Sequence, residues 1–239
     1  MPTFTKSAST SRFGSIARAE RRTPRVVPLT ILVPRGAEEQ AVRRGARGAT
    51  VLSIAAGAAS ATLPEGIDGA PLVVVVGLCG SLTAARVGDV VVYTRIAGAG
   101  GAIDLDADDV RRVRAVLAPA RPVVACMTDH VVTKAAERAT LAARFGADVV
   151  DMEASHVARA LQARGIRHAM VRVVSDDPSA DLPPIEHALD PSGAIRPLAL
   201  ASAFVRAPVA FARFVRDVQT SLGVLASLGS ALAAADALK

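Results

Sequence analysis

At 239 residues and 51% apolar, the chain can bury a substantial core and fits a single α/β domain. Aromatics are only 3% and Trp is absent, so the core must come from Val, Leu, Ile and Ala, and pockets that stack rings have few residues to draw on. The net charge of +6 does not mark a nucleic-acid binder: residues 1–28 hold Lys6, Arg12, Arg18, Arg21, Arg22 and Arg25 against Glu20 alone, which leaves the rest close to neutral, without a basic stripe or interleaved aromatics.

Residues 1–28 are rich in Ser, Thr, Ala and Arg and lack a continuous apolar stretch, which excludes a secretory signal. Two readings remain, a disordered extension or an organellar targeting segment. Without such targeting a cytoplasmic location is expected. Cys79 and Cys126 both sit in apolar runs and read as buried thiols, not as a disulfide framework.

From residue 29 the chain alternates strand and helix signals to its end, as one domain without internal repeats. Residues 29–33 read as a strand, 38–45 as a short helix, 51–55 as a strand, followed by a loop of small residues to Pro71. Residues 72–76 are almost purely β-branched, as in a strand buried on both faces. Gly77-Leu78-Cys79-Gly80-Ser81 reads as a Gly-rich loop after it. Residues 87–96, 123–127, 149–150 and 169–174 are further strands, and 106–117 and 153–164 are helices. Thr133 is placed to cap a helix reaching Phe145, and Gly146 and Gly165 to end their helices. Prolines 183, 184, 191 and 197 break the next stretch into loops, before an Ala-rich helical tail from about residue 198.

The pattern predicts an α/β fold with a mixed, largely parallel central sheet flanked by helices. No apolar run reaches the roughly twenty residues of a membrane span. The tail interleaves Phe204, Phe211 and Phe214 with Arg206, Arg213 and Arg216, and packing on the sheet or a second subunit is favoured over a membrane-surface role.

Chemistry concentrates at strand ends. Val149-Val150-Asp151-Met152-Glu153 and Val171-Arg172-Val173-Val174-Ser175-Asp176-Asp177 each place carboxylates at the end of an apolar run, where a charge is costly unless paired or used. Glu38 follows the first strand and Gly77 and Gly80 follow the third. In α/β sheets such ends gather ligands.

These motifs resemble the nucleoside phosphorylase and nucleosidase superfamily over roughly residues 29–190. Met152-Glu153 is similar to a family pair whose Glu binds ribose hydroxyls while the Met packs beneath the sugar. Arg172–Asp176 fits the family pattern of Arg, two apolar residues, Ser and Asp, whose Asp protonates the departing purine. Residues 75–82, with Gly77 and Gly80, followed by Val87-Gly88-Asp89, look like its Gly-rich loop and next strand. The resemblance implies Asp176 and Glu38 as catalytic residues, with Glu153, Met152, Ser175, Arg172, Gly77 and Gly80 binding substrate. Glu38 resembles the acid that activates water in hydrolytic members, and Glu39 is an equal match. The segment from Val173 to Pro178 with Leu182-Pro183-Pro184 and the Asp190-Pro191-Ser192-Gly193 turn is similar to hopanoid-associated phosphorylases.

The chemistry supports these roles. Glycosidic C–N cleavage makes a cationic sugar and a poor leaving group, so an acid at the base, Asp176, and a carboxylate on the ribose hydroxyls, Glu153, both help. Arg172 could orient a carboxylate or bind phosphate. Asp151 and Asp177 read as residues that cap or solvate strand ends, with no catalytic role. Glu153-x-x-His156 has no second copy, so no metal site is expected. Leu78 stands where many relatives carry a Ser beside the nucleophile, which leaves hydrolysis and phosphorolysis both open, and His130 stands where a base-side Phe is common. The expected ligand is a small nucleoside, with phosphate as co-substrate in the phosphorylase alternative and no other cofactor. A homo-oligomer is implied by the family. The competing reading is a catalytically silent nucleoside sensor or carrier.

Overall fold

The computed structural model describes residues 29–185, 197–235 and 238. The extension at residues 1–28 and the turn at 190–193 lie outside them. Eight strands, β1 (Thr30–Pro34), β2 (Thr50–Ile54), β3 (Val73–Ser81), β4 (Val90–Ala97), β5 (Ile103–Asp104), β6 (Arg121–Met127), β7 (Val149–Asp151) and β8 (His168–Asp176), join in one sheet. β1 pairs in parallel with β2 and β3, β3 with β8, β4 with β6, and β6 with β7. Antiparallel pairs link β3 to β7, β4 to β5 and β4 to β8. The sheet is mixed and mostly parallel, as expected, and its pairings close a circuit β3–β8–β4–β6–β7.

The β-branched runs explain the covered sheet. Val73–Val76 and Val171, Val173 and Val174 are wholly buried, so apolar cover is needed on both sides. Helices α1 (Ala37–Gly45), α2 (Ala107–Val116), α3 (Ala135–Phe145), α4 (Ala154–Ala163), α5 (Pro197–Arg206) and α6 (Pro208–Ala234) flank the sheet. α6 is anchored to β8 by the Ser221 hydroxyl, which donates to the Val174 carbonyl at 2.7 Å. It crosses α1 closely enough that a Cβ at Gly45 would strike the Ala226 carbonyl. Among the described residues no helix is long and apolar enough to cross a membrane.

Several expected boundaries shift, and two shifts bear on the site. β3 runs on through Gly77 to Ser81 where a loop was expected, because β8 pairs with it in register as far as Cys79 and again at Gly80, and β7 takes up its end. β8 likewise carries Ser175 and Asp176 within the strand. α3 begins at Ala135, and its first free amide is met by Asp181 Oδ1 at 2.9 Å; Thr133 lies outside the cap position. α4 begins at Ala154 and is capped from two residues upstream of Glu153. A 3-10 turn at Gly57–Ala61 and the short β5 had no sequence signal strong enough to place them.

Candidate active site

Four chain segments meet around one cavity of about 770 Å³, within the range of small-molecule sites. Glu38 enters from the first turn of α1, Leu78, Cys79 and Gly80 from β3, Met152 and Glu153 from the link between β7 and α4, and Ser175 and Asp176 from β8. Phe214, Val218 and Leu222 of α6, with Leu182 and Ile185, supply much of its apolar wall. Of the expected site residues, Glu38, Gly80, Met152, Glu153, Ser175 and Asp176 line the cavity together.

Gly77 and Arg172 do not line it, which corrects their expected contact with substrate. The Arg172 side chain is enclosed beneath the site, where Nε donates to Asp151 Oδ2 at 2.8 Å and Nη1 to the carbonyls of Val75 and Val171. Burial works against its charge, but Asp151, Tyr93 and the nearby glutamates outweigh that and hold it firmly cationic. A strand residue facing the interior of so apolar a sheet has to find its counter-ion there.

That counter-ion, Asp151, is a hub. Its Oδ2 also accepts from the Tyr93 hydroxyl at 2.8 Å, while Oδ1 accepts from the amides of Glu153 at 2.7 Å and Ala154 at 2.8 Å. It is a cap, as the sequence reading had it, but it is buried and not solvated. Through these bonds one carboxylate fixes the start of α4 and the backbone of Glu153. The expected cap role of Asp177 holds too: its Oδ1 accepts from the Ser179 amide and hydroxyl.

Glu153 reaches across the cavity floor, where Oε1 accepts from the Gly57 amide at 2.9 Å. The 3-10 turn that had no sequence signal supplies that donor. Burial first, and the Asp151 charge second, raise the Glu153 carboxyl above its ordinary range. Glu38 Oε2 accepts from the Leu78 amide at 3.0 Å, whereas Glu39 turns outward to pair with Arg43. Of the two adjacent acids, Glu38 is the one that reaches the cavity. Burial, reinforced by Glu153, pushes its carboxyl up to about 8.

Asp176 lies beside Gly80, three residues along β3 from the glycine that Glu38 approaches. A bulge between β3 and β8 skips Ser175, so that Cys79 pairs with Val174 but Gly80 pairs with Asp176. An extra residue of this kind re-aims the following side chain. Arg138 of α3, unforeseen from sequence, lies 2.7 Å from Asp176 Oδ1. Its N–H groups also reach the carbonyls of Asp177 and Val132, so a buried ion pair holds this end of the Asp176 carboxyl. Ser175 Oγ lies 2.9 Å from Asp176 Oδ2 and 3.1 Å from the Cys79 carbonyl. Its single proton cannot satisfy both. Both contacts are hydrogen bonds when Asp176 carries a proton and donates to Ser175, which then donates to Cys79. Burial raises the Asp176 carboxyl and outweighs the lowering by Arg138 and by the Ser175 hydrogen bond.

The two glycines of β3 make room for these acids. A Cβ at Gly77 would lie 2.7 Å from Glu38 Oε2, and one at Gly80 would lie 3.2 Å from both Asp176 carboxylate oxygens and 2.9 Å from Val150 Cγ1. Neither glycine needs a left-handed backbone. Gly77→Ala therefore tests the placement of Glu38. The tightest contact of the methyl is the far end of a flexible side chain, and Pro34 Cδ at 3.3 Å and Arg172 Nε at 3.4 Å must also give slightly, so the urea midpoint should fall only modestly while activity falls to the level of Glu38→Gln. Full activity in Gly77→Ala would show that Glu38 need not sit where it does.

His130 lies on the cavity wall, held by Asp129 at Nδ1 and Glu137 at Nε2, both at 2.8 Å. These two acids raise its pKa against partial burial, so it presents a polar ring that favours the cationic form.

Residues 36–206 match the family model described as the phosphorylase superfamily. No match was found among curated proteins. Among solved structures, the chain is similar to a putative 5′-methylthioadenosine/S-adenosylhomocysteine nucleosidase from Borrelia burgdorferi bound to adenine, at TM-score 0.60 and 14% identity, covering 85% of this chain and 98% of that one. The 5′-methylthioadenosine/S-adenosylhomocysteine nucleosidase of Helicobacter pylori gives a TM-score of 0.59 at 16% identity, covering 85% and 97%. The futalosine hydrolase of the same organism gives 0.59 at 17%, with the same coverage.

Proposed function

This chain belongs to the phosphorylase superfamily, and from that premise we propose that it cleaves the N-glycosidic bond of a purine nucleoside or a 5′-modified adenosine, with water as the acceptor. One observation carries the reading. A single cavity holds three buried acids in two groups, Asp176 beside Gly80 and Glu38 with Glu153 towards Gly77, burial favours the protonated form of each, and the two groups suit the two ends of one nucleoside.

In this reading the purine lies against Asp176, which delivers its proton to the leaving base as the C–N bond breaks. General-acid help of this kind is worth roughly 10²–10⁴-fold. Glu153 accepts hydrogen bonds from the ribose hydroxyls, and its charge favours the developing oxocarbenium. Met152, beside it on the cavity wall, packs under the sugar. Glu38 in its ionised form takes a proton from water as the water oxygen bonds to the anomeric carbon. The products are free base and free sugar. Glu38 has gained a proton and Asp176 has lost one, so exchange with solvent resets the pair.

Hydrolysis is favoured over phosphorolysis by the charge of the nucleophile side. Glu38, Glu153 and the apolar Leu78 line that side; Arg35 is exposed at the rim and Arg172 is already committed to Asp151. A phosphate dianion would meet Glu153 there and, above about pH 8, an ionised Glu38 as well, with little cationic compensation. Release of base from a panel of adenosine, inosine, methylthioadenosine and a longer 5′-alkyl adenosine, with and without phosphate, tests the reading. Release independent of phosphate supports it, and strict dependence on phosphate overturns the choice of water.

The raised Glu38 also has a stability signature. Its folded-state value of about 8 lies above the ordinary 4.5, so the native state binds this proton more tightly than the unfolded chain does. The Glu38 contribution is complete below about pH 4.5 and is lost as the pH rises towards 8. Glu38→Gln fixes a neutral group, so relative to wild type it should gain at least about 1 kcal/mol between pH 5 and pH 8.5. Urea midpoints of both proteins at the two pH values check this, and an unchanged difference would contradict the shifted carboxyl.

A further inference from the structure

The corner between α5 and α6 is unlike the rest of the surface. Phe204, Val205 and Val209 are the large apolar side chains exposed among the described residues, Val205 at 78% and Val209 at 83%, and they fall within six positions. Such clustering of large apolar side chains marks an interaction surface, whereas scattered ones do not. Residues 191–216 contain Arg196, Arg206, Arg213 and Arg216 and no acid at all. Arg206 and Arg213 are exposed on this corner; Arg216, one turn on, pairs with Asp217.

The corner is also continuous with the cavity. The Phe204 ring meets Phe211 edge-on at 5.6 Å between centroids. Phe211 and Phe214 pack with Leu182 and Ile185, and Leu182, Ile185 and Phe214 line the cavity wall. An apolar track thus runs from the exposed corner to the site.

We propose that the α5–α6 corner docks this chain on an anionic lipid surface, with Phe204, Val205 and Val209 entering the headgroup region and Arg206 facing lipid phosphates, so that the cavity opens beside the membrane. Charge decides between this occupant and a second copy. Arg213 lies near Asp177, whose ionised form it favours, but Arg206 is exposed between Val205 and Val209; a two-fold interface centred on this patch would set Arg206 against its own copy, whereas an anionic bilayer complements both the charge and the apolar tip. The inference is independent of the reaction, because it rests on residues outside the catalytic groups.

Sedimentation of the full chain with vesicles of phosphatidylglycerol and phosphatidylcholine, at low and high salt, tests it. Binding to the phosphatidylglycerol vesicles is expected, weakened at least several-fold by salt and on pure phosphatidylcholine. The triple variant Val205→Ser, Val209→Ser, Arg206→Ser should lose most of that binding while releasing base from a soluble nucleoside at the wild-type rate. Three results would overturn the proposal: no binding to anionic vesicles, binding that survives the triple substitution and so belongs to another part of the chain, or concentration-dependent self-association that the same substitutions abolish.

Discussion

Asp176→Asn slows base release by roughly 10²–10⁴-fold and leaves nucleoside binding largely unchanged. The amide has the shape of the acid and can still contact Ser175, but it has no proton to give to a departing purine. The size of the effect follows from the geometry around the carboxyl. Burial disfavours its ionised form, and the Ser175 and Cys79 contacts are both satisfied only when it is protonated. Arg138 pulls the other way. The variant should also flatten the high-pH limb of the rate profile, where wild type loses activity as Asp176 ionises. Chromatography of released base and calorimetry of binding measure the two halves, and near-wild-type turnover would remove Asp176 from the role of acid.

The second large effect is on the framework. Asp151→Ala leaves the Arg172 guanidinium buried without its counter-ion and the Tyr93 hydroxyl without its acceptor, and uncaps α4. Breaking a buried pair from one side costs about 3–5 kcal/mol, which in a chain of this size lowers Tm by roughly 6–20 °C. Activity should fall as well, because the backbone of Glu153 hangs from the same carboxylate. A pair replaced on both sides behaves differently. Adding Arg172→Met to Asp151→Ala should recover a good part of the lost stability but little activity, since the anchor of Glu153 stays absent. If the double variant melts no higher than the single one, the cost lies in the cap and not in the stranded charge.

Much of this site could be read in the sequence because its acids break strong local patterns. Glu153 and Asp176 stand at the ends of β-branched runs, and Glu38 stands in a first helical turn after a strand. What the sequence misled on was the use of glycine. Gly77 and Gly80 read as turn formers, yet both lie within β3, where the missing side chain leaves space for Glu38 and Asp176. Local pattern cannot separate these uses, because the colliding atom comes from a distant residue. Arg172 was misassigned for a related reason: its partner, Asp151, looked like a solvated strand end until the sheet closed around both.

Two functional neighbours went unseen. Tyr93 is the only tyrosine of the chain, set in the apolar run Val90-Val91-Val92, and a phenol buried there has to find a polar partner. That signal was available. Arg138 carried none, since it sits among ordinary helix residues near Arg144, and only the packing of α3 against the end of β8 brings it to Asp176. The caps follow the same logic, because Asp181 reaches α3 from the far side of the intervening chain. Residues whose roles were set by neighbours in sequence could be read, and those whose roles were set across the fold could not.

The most direct test of the account is turnover in phosphate-free buffer made with ¹⁸O water, followed by mass spectrometry of the sugar. The account predicts free base together with sugar carrying one ¹⁸O bonded to the anomeric carbon, in amounts equal to the base released, and loss of both in Glu38→Gln. Base release that begins only when phosphate is added and yields a sugar phosphate would contradict it.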